Sequence, residues 1–155
     1  MKRIYAVLHG DKKLGADPSL TSEGRSQIHL LRRLLPANPV EVLCGTGRRH
    51  HQTCTALALT MTGSTPIIGD PTSLEMTNDG VKVIVFADGS SAPVSEDRSI
   101  ADISLVARPF VAGLKDNTVL CTGRPFLLAL NWSAPSGTVI LLEVDDDGGI
   151  TFQQL

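Results

Sequence analysis

The chain reads as an α/β protein, a three-layer α/β/α sandwich closed by a C-terminal hairpin. Three observations point there. Short aliphatic runs alternate with segments of helical period through most of the chain, which is the pattern of helices layered on a sheet. Aromatic residues make up only 4% of the 155 residues against 42% apolar residues, so the core is built from Val, Ile, Leu, Ala and Met, as in buried aliphatic strands. This length makes one domain spanning 1–155 the default.

The first strand is the apolar run over 3–8, which stops at His9-Gly10-Asp11. A loop with Gly15, Asp17 and Pro18 follows. Thr21 then caps a helix whose Ile28, Leu31 and Leu35 share a face as far as Pro36. The run from Val40 to Cys44 is the second strand. Gly45-Thr46-Gly47 opens a helix over 48–62, with Cys54, Leu57, Ala58 and Met61 on one face and Gly63 as its stop.

Residues 66–69 are expected as a short strand and 81–86 as a clear one. Asp88-Gly89 is a turn signal for a hairpin with the segment near Val94, and 70–97 is the least regular stretch. Helical period returns over 100–114, where Pro109 should kink or divide the helix. A strand over 117–122 leads through Gly123-Arg124-Pro125 into a helix over 126–132, with Pro125 suited to its first turn. Strands over 138–144 and 150–153 flank an Asp-Asp-Asp-Gly-Gly turn and form the closing hairpin.

The formal net charge of −2 argues against a general nucleic-acid binder. It conceals an asymmetry: residues 1–53 carry nine of the 14 Lys and Arg and four of the 16 acids, a local +5 against −7 elsewhere. Such an excess is either solvated surface or an anion site. Cys44, Cys54 and Cys121 are odd in number and lack zinc-type spacing, so they predict three small buried hydrophobes in a reducing compartment, with no disulfide and no metal. The apolar start is too short for a signal peptide, and no run approaches membrane-spanning length. A cytoplasmic protein without a membrane partner is the expectation.

Three strands end in small or polar loops: at His9-Gly10, at Gly45-Thr46-Gly47-Arg48-Arg49, and at Thr122-Gly123-Arg124. In an open α/β sheet such ends converge on the ligand crevice. Here they bring together an imidazole, up to three guanidiniums and two helix N-termini. Guanidinium forks and helix N–H groups both select phosphate or carboxylate.

These residues resemble the histidine phosphatase, or phosphoglycerate mutase-like, superfamily. Leu8-His9-Gly10 is similar to its Arg-His-Gly motif. Leu20-Thr21-Ser22-Glu23-Gly24-Arg25-Ser26-Gln27 is similar to its Leu-Thr-x-x-Gly-x-x-Gln helix opening, and Arg49-His50-His51-Gln52-Thr53 to its Arg-x-x-Gln-Thr helix start. The likeness is weak over 65–115 and returns in the closing hairpin. The length matches the short branch typified by bacterial phosphohistidine phosphatases.

The resemblance implies a mostly parallel central sheet and a cofactor-free phosphatase acting on a phosphorylated small molecule or phosphoprotein. It implies His9 as the nucleophile that becomes phosphohistidine, Gly10 and Arg49 around the phosphate, and Glu75 as the acid for the leaving group. Phosphoryl transfer asks for such a set: an in-line nucleophile and positive charge on the equatorial oxygens.

Two positions depart from the family. Leu8 stands where the family has arginine, and Gly123 where it has a second histidine. Losing two such donors removes roughly 5–8 kcal/mol of transition-state stabilisation. A catalytically impaired phosphatase is therefore expected, with a non-catalytic binding module on the same fold as the alternative. Arg124, Lys12 and Lys13 are the candidate replacements, whereas Arg48 is read as facing solvent. His50 and His51, in the first turn of a helix, are read as structural or exposed, His29 as bland, and Asp145, Asp146 and Asp147 as a solvated turn rather than a calcium loop.

Overall fold

The computed structural model describes residues 1–10, 19–69, 71–86, 91–93 and 104–155. The loop with Lys12 and Lys13, the Asp88-Gly89 turn, Val94 and the start of the helix expected from residue 100 lie outside them.

A six-stranded sheet forms the middle layer. Its strands are β1 (Lys2–Leu8), β2 (Glu41–Cys44), β3 (Gly63–Ser64), β7 (Thr118–Thr122), β8 (Val139–Val144) and β9 (Ile150–Gln154), in the order β3-β2-β7-β1-β8-β9. The pairs β2–β3, β2–β7 and β1–β7 are parallel, while β8 runs against both β1 and β9. Five of the six strands therefore share one direction, as the resemblance implies.

Period-two alternation sends side chains of each strand into two separate cores. Ile4, Ala6 and Leu8 of β1 join Leu120 of β7 and Ile140 of β8 on one face, under α3 (Ser104–Ala112) and α4 (Arg124–Ala129). Val7, Val42, Cys44, Val119, Cys121 and Val139 face the other way, against α1 (Ser22–His29) and α2 (Arg48–Ala56). That is the three-layer sandwich.

Several boundaries differ from the expectation for physical reasons. The helix at Thr21 is α-helical only to His29 and tightens to a 3-10 turn over Leu30–Leu34, closed by Arg32 donating to the carbonyls of Pro36 and Ala37. Helix α2 stops at Ala56, not at Thr62. Ala58 turns left-handed at φ 54°, and Thr62 is taken by β2, exchanging backbone and hydroxyl hydrogen bonds with Val42. Gly63 accordingly begins a strand instead of ending a helix; a Cβ there would lie 2.9 Å from Leu43 Cδ2.

The expected strand over 66–69 is a 3-10 turn, Pro66–Ile68. Pro66 has no N–H for a ladder, and the turn instead plants Ile68 in the core and gives its carbonyl to Thr122 Oγ1. Helix α3 runs through Pro109 without dividing, and α4 begins at Arg124 and ends at Ala129. Trp132 beyond it stacks on Phe152 of β9, with ring centroids 5.0 Å apart.

A second sheet was not expected in full. Strands β4 (Pro71–Met76), β5 (Lys82–Phe86) and β6 (Ser91–Pro93) are antiparallel in the order β4-β5-β6. The β5–β6 pairing agrees with the hairpin expectation, but β4 carries no apolar alternation and is made by its partner.

Candidate functional site

His9 follows directly from β1, whose last residue Leu8 is level with Thr122 of β7. Its backbone N–H donates to the Thr122 carbonyl at 3.0 Å, so the loop leaves the sheet at one defined point. The imidazole is buried, and Nδ1 lies 2.9 Å from the Gly10 carbonyl. A carbonyl only accepts, so Nδ1 carries a proton in this contact.

Gly10 is required by contact. A Cβ there would lie 2.5 Å from the Gly24 carbonyl oxygen and 2.7 Å from Gln27 Oε1. Thr21 caps α1 by accepting from the Gly24 N–H at 3.0 Å, which holds this turn against the His9 loop. The threonine, glycine and glutamine of the helix opening are thus the parts that seat His9. Gly137, at φ 73°, closes the other side by donating to the Leu8 and His9 carbonyls.

The second motif is assembled in the same way. Gln52 Oε1 accepts from the Leu20 N–H at 2.7 Å and ties α2 to the start of α1. Thr53 Oγ1 donates back to the Arg49 carbonyl at 2.8 Å. Arg49 and His50 are both buried in the first turn of α2, with relative exposures of 2% and 1%. Gly45 and Gly47 make room for them: a Cβ on Gly45 would be 2.5 Å from His50 Nδ1, and one on Gly47 would meet Arg49 Nη1 at 3.0 Å and His50 Nδ1 at 3.1 Å.

His50 is the residue whose place beside His9 the sequence reading missed. Its ring stands edge-on to His9 with centroids 5.7 Å apart, whereas its neighbour His51 is exposed and contacts Ser64 Oγ at 3.3 Å. The available signal was the pair of glycines three and five residues before it, which free the space a buried ring needs. His50 thus stands against His9, and Arg49 Nη1 and His50 Nδ1 both close on the space beside Gly47, at a helix N-terminus that Gly47 leaves without a side-chain cap. Such a set suits a tetrahedral oxyanion.

The other candidates are distributed differently. Leu8, at the position of the family's arginine, is fully buried in the α3/α4 core. Gly123 is the N-cap of α4, and Arg124 beside it is exposed, as is Arg48. Glu75 is exposed on β4, in the second sheet. His29 is exposed on an open groove between α1 and α2 that Arg25 and Gln52 also line. Asp145 Oδ1 accepts from the N–H groups of Asp147 and Gly149, so the acidic turn uses its own carboxylate as a brace.

The three cysteines are buried, as expected, but they are not scattered. Their sulfurs lie within 4.8 Å of one another. No helix among the described residues is long and apolar enough to cross a membrane.

The fold has known counterparts. The TTHB049 protein of Thermus thermophilus superposes with a TM-score of 0.64 at 19% identity, over 99% of this chain and 98% of its own. The Rv3214 product of Mycobacterium tuberculosis gives 0.62 at 16%, over 99% and 95%. A mycobacterial glucosyl-3-phosphoglycerate phosphatase gives 0.63 at 14%, over 99% and 96%. No family model and no curated protein matches the sequence. The chain has the histidine phosphatase, phosphoglycerate mutase-like fold.

Proposed function

We propose that the chain binds the phosphoryl group of a phosphorylated small molecule or phosphoprotein in a pocket around His9 and Arg49. In this reading it is a catalytically impaired phosphatase, with slow turnover through a phosphohistidine. The observation that carries the reading is the edge-on approach of buried His50 to buried His9 at the end of β1, with Arg49 buried in the same turn of α2 as His50.

The chemistry follows from those groups. Nε2 attacks phosphorus in line, the bond to the leaving oxygen breaks, and that oxygen takes a proton. Water then cleaves the phosphorus–nitrogen bond and returns His9 to its starting state. Arg49 and His50 face the charge on the equatorial oxygens, His50 serving where the family's second histidine is replaced by Gly123. Glu75 is the proposed proton donor, carried on the sheet that follows the turn bonded to Thr122. Arg124 is a second phosphate contact at the start of α4.

Leu8 limits the rate. One missing preorganised donor costs about 10²–10³ in turnover, or roughly 3–4 kcal/mol. The same residue favours a second reading, a non-catalytic anion-binding or interaction module, because its burial supplies no hydrogen bond at all. That one structural counterpart is a phosphatase supports the first reading.

Intact-mass measurement after incubation with a generic phosphomonoester separates the two. A phosphoryl adduct on the wild-type chain, absent from His9→Ala, is the expected result. Turnover that survives His9→Ala removes His9 as nucleophile, and phosphate binding without an adduct leaves the module.

A further inference from the structure

The cysteine cluster belongs to the opposite chemistry from the phosphate pocket. Cys44 and Cys121 are register partners on the adjacent parallel strands β2 and β7, so their side chains stand together on the α1/α2 face of the sheet. Cys54, in the last turn of α2, points down onto the same spot. Relative exposures of 0%, 3% and 0% for Cys44, Cys54 and Cys121 make the site dry, within a core cluster that is otherwise mainly Val and Leu with Ile28.

We propose that these three thiols form a binding site for a soft, thiophilic cation, with cuprous copper as the ion of fitting chemistry. The geometry selects it. Metal–sulfur bonds near 2.3 Å put the three sulfurs of a trigonal site about 4 Å apart. A triangle with edges within 4.8 Å reaches that by small side-chain rotations. Hard cations need several oxygen donors, and zinc in a structural site takes four ligands. Here three sulfurs converge within a dry core, which suits an ion stable with three thiolates.

Binding exchanges sulfur-bound protons for the ion, and those protons leave to solvent. Hydrogen bonds from Cys121 and Cys44 pull the Cys54 thiol well below its ordinary value, while Cys44 and the fully buried Cys121 are pushed above theirs, so Cys54 gives up its proton first and the other two lose theirs only to the ion. Cys54 is the cysteine nearest the surface, its Sγ donating at 3.2 Å to the carbonyl of half-buried Leu59, just past the left-handed Ala58.

The test is an anaerobic titration of the full chain with cuprous ion against a chromophoric cuprous chelator, followed by X-ray absorption of the complex. One equivalent held per chain in an all-sulfur, three-coordinate environment is expected. Cys54→Ala and Cys121→Ala should each weaken retention by at least about tenfold, Cys54→Ser should also weaken it, and His9→Ala should leave it unchanged. Alanine variants that keep the wild-type melting transition separate ligand loss from unfolding. Removal of all copper from the wild type by the chelator, wild-type retention by Cys54→Ala, nitrogen or oxygen ligation, or loss of binding in His9→Ala would each overturn the site.

Discussion

Strands β1 and β7 are parallel neighbours that end level with each other, Leu8 opposite Thr122, yet one delivers a buried histidine to the crevice and the other delivers a glycine. After β1, three described residues serve to seat His9: Gly10 lets α1 approach, Thr21 holds the helix turn, and Gly137 closes the back. After β7, Gly123 caps α4 and Arg124 is exposed at its first turn. The seat of His9 is therefore built, while positions 8 and 123 carry a leucine and a glycine that bring no charge. The contrast shows that positioning and charge are separable: the fold keeps His9 in place by backbone contacts that do not depend on charged side chains at positions 8 and 123.

The largest expected effect comes from forcing the family's arginine back onto β1. Leu8→Arg should cost about 3 kcal/mol or more in stability, because the side chain enters the α3/α4 core, where a guanidinium meets no partner. A denaturant melt gives the number, and a near-neutral result would mean that the side chain can turn toward the crevice instead. Gly10→Ala is next, at about 1–3 kcal/mol, since its Cβ meets the Gly24 backbone of α1, which cannot swing aside as the nearby Gln27 side chain can. Thermal unfolding reads this, together with weaker phosphate binding as His9 shifts.

Gly123→His acts on the poorer strand end. Its backbone is extended, at φ −136°, so any residue fits the conformation. Turnover of a generic phosphomonoester should rise by about tenfold, part of what a preorganised donor supplies. An unchanged rate would show that His50 already fills that role, so that the end of β7 lacks nothing the reaction needs.

How much of this was legible depended on whether the signal was local. Strand β1, the cap at Thr21 and the closing hairpin follow from adjacent residues, and the positions of His9 and Arg49 followed from motif order. The end of α2 did not, because Thr62 is claimed by Val42 through hydrogen bonds across 20 residues of sequence. Strand β4 did not either, since Pro71-Thr72-Ser73-Leu74-Glu75-Met76 has no period of its own and takes its shape from pairing with β5. His50 and His51 are adjacent and chemically identical, and only the space above Gly45 and Gly47 decides which is buried.

Sequence alone determined the alternation of aliphatic strands and capped helices, hence the layered sandwich, because those patterns are written at periods of two and 3.6 residues. It also determined which chemistry is available: one histidine at a strand end, three arginines at two helix starts, three cysteines and no arginine at position 8. Tertiary structure decided who meets whom. Sheet register set Cys44 beside Cys121 from a distant part of the chain, helix packing added Cys54, and the turn of α2 set His50 against His9. Contacts between distant segments depend on the packing of whole layers, and no local period encodes that.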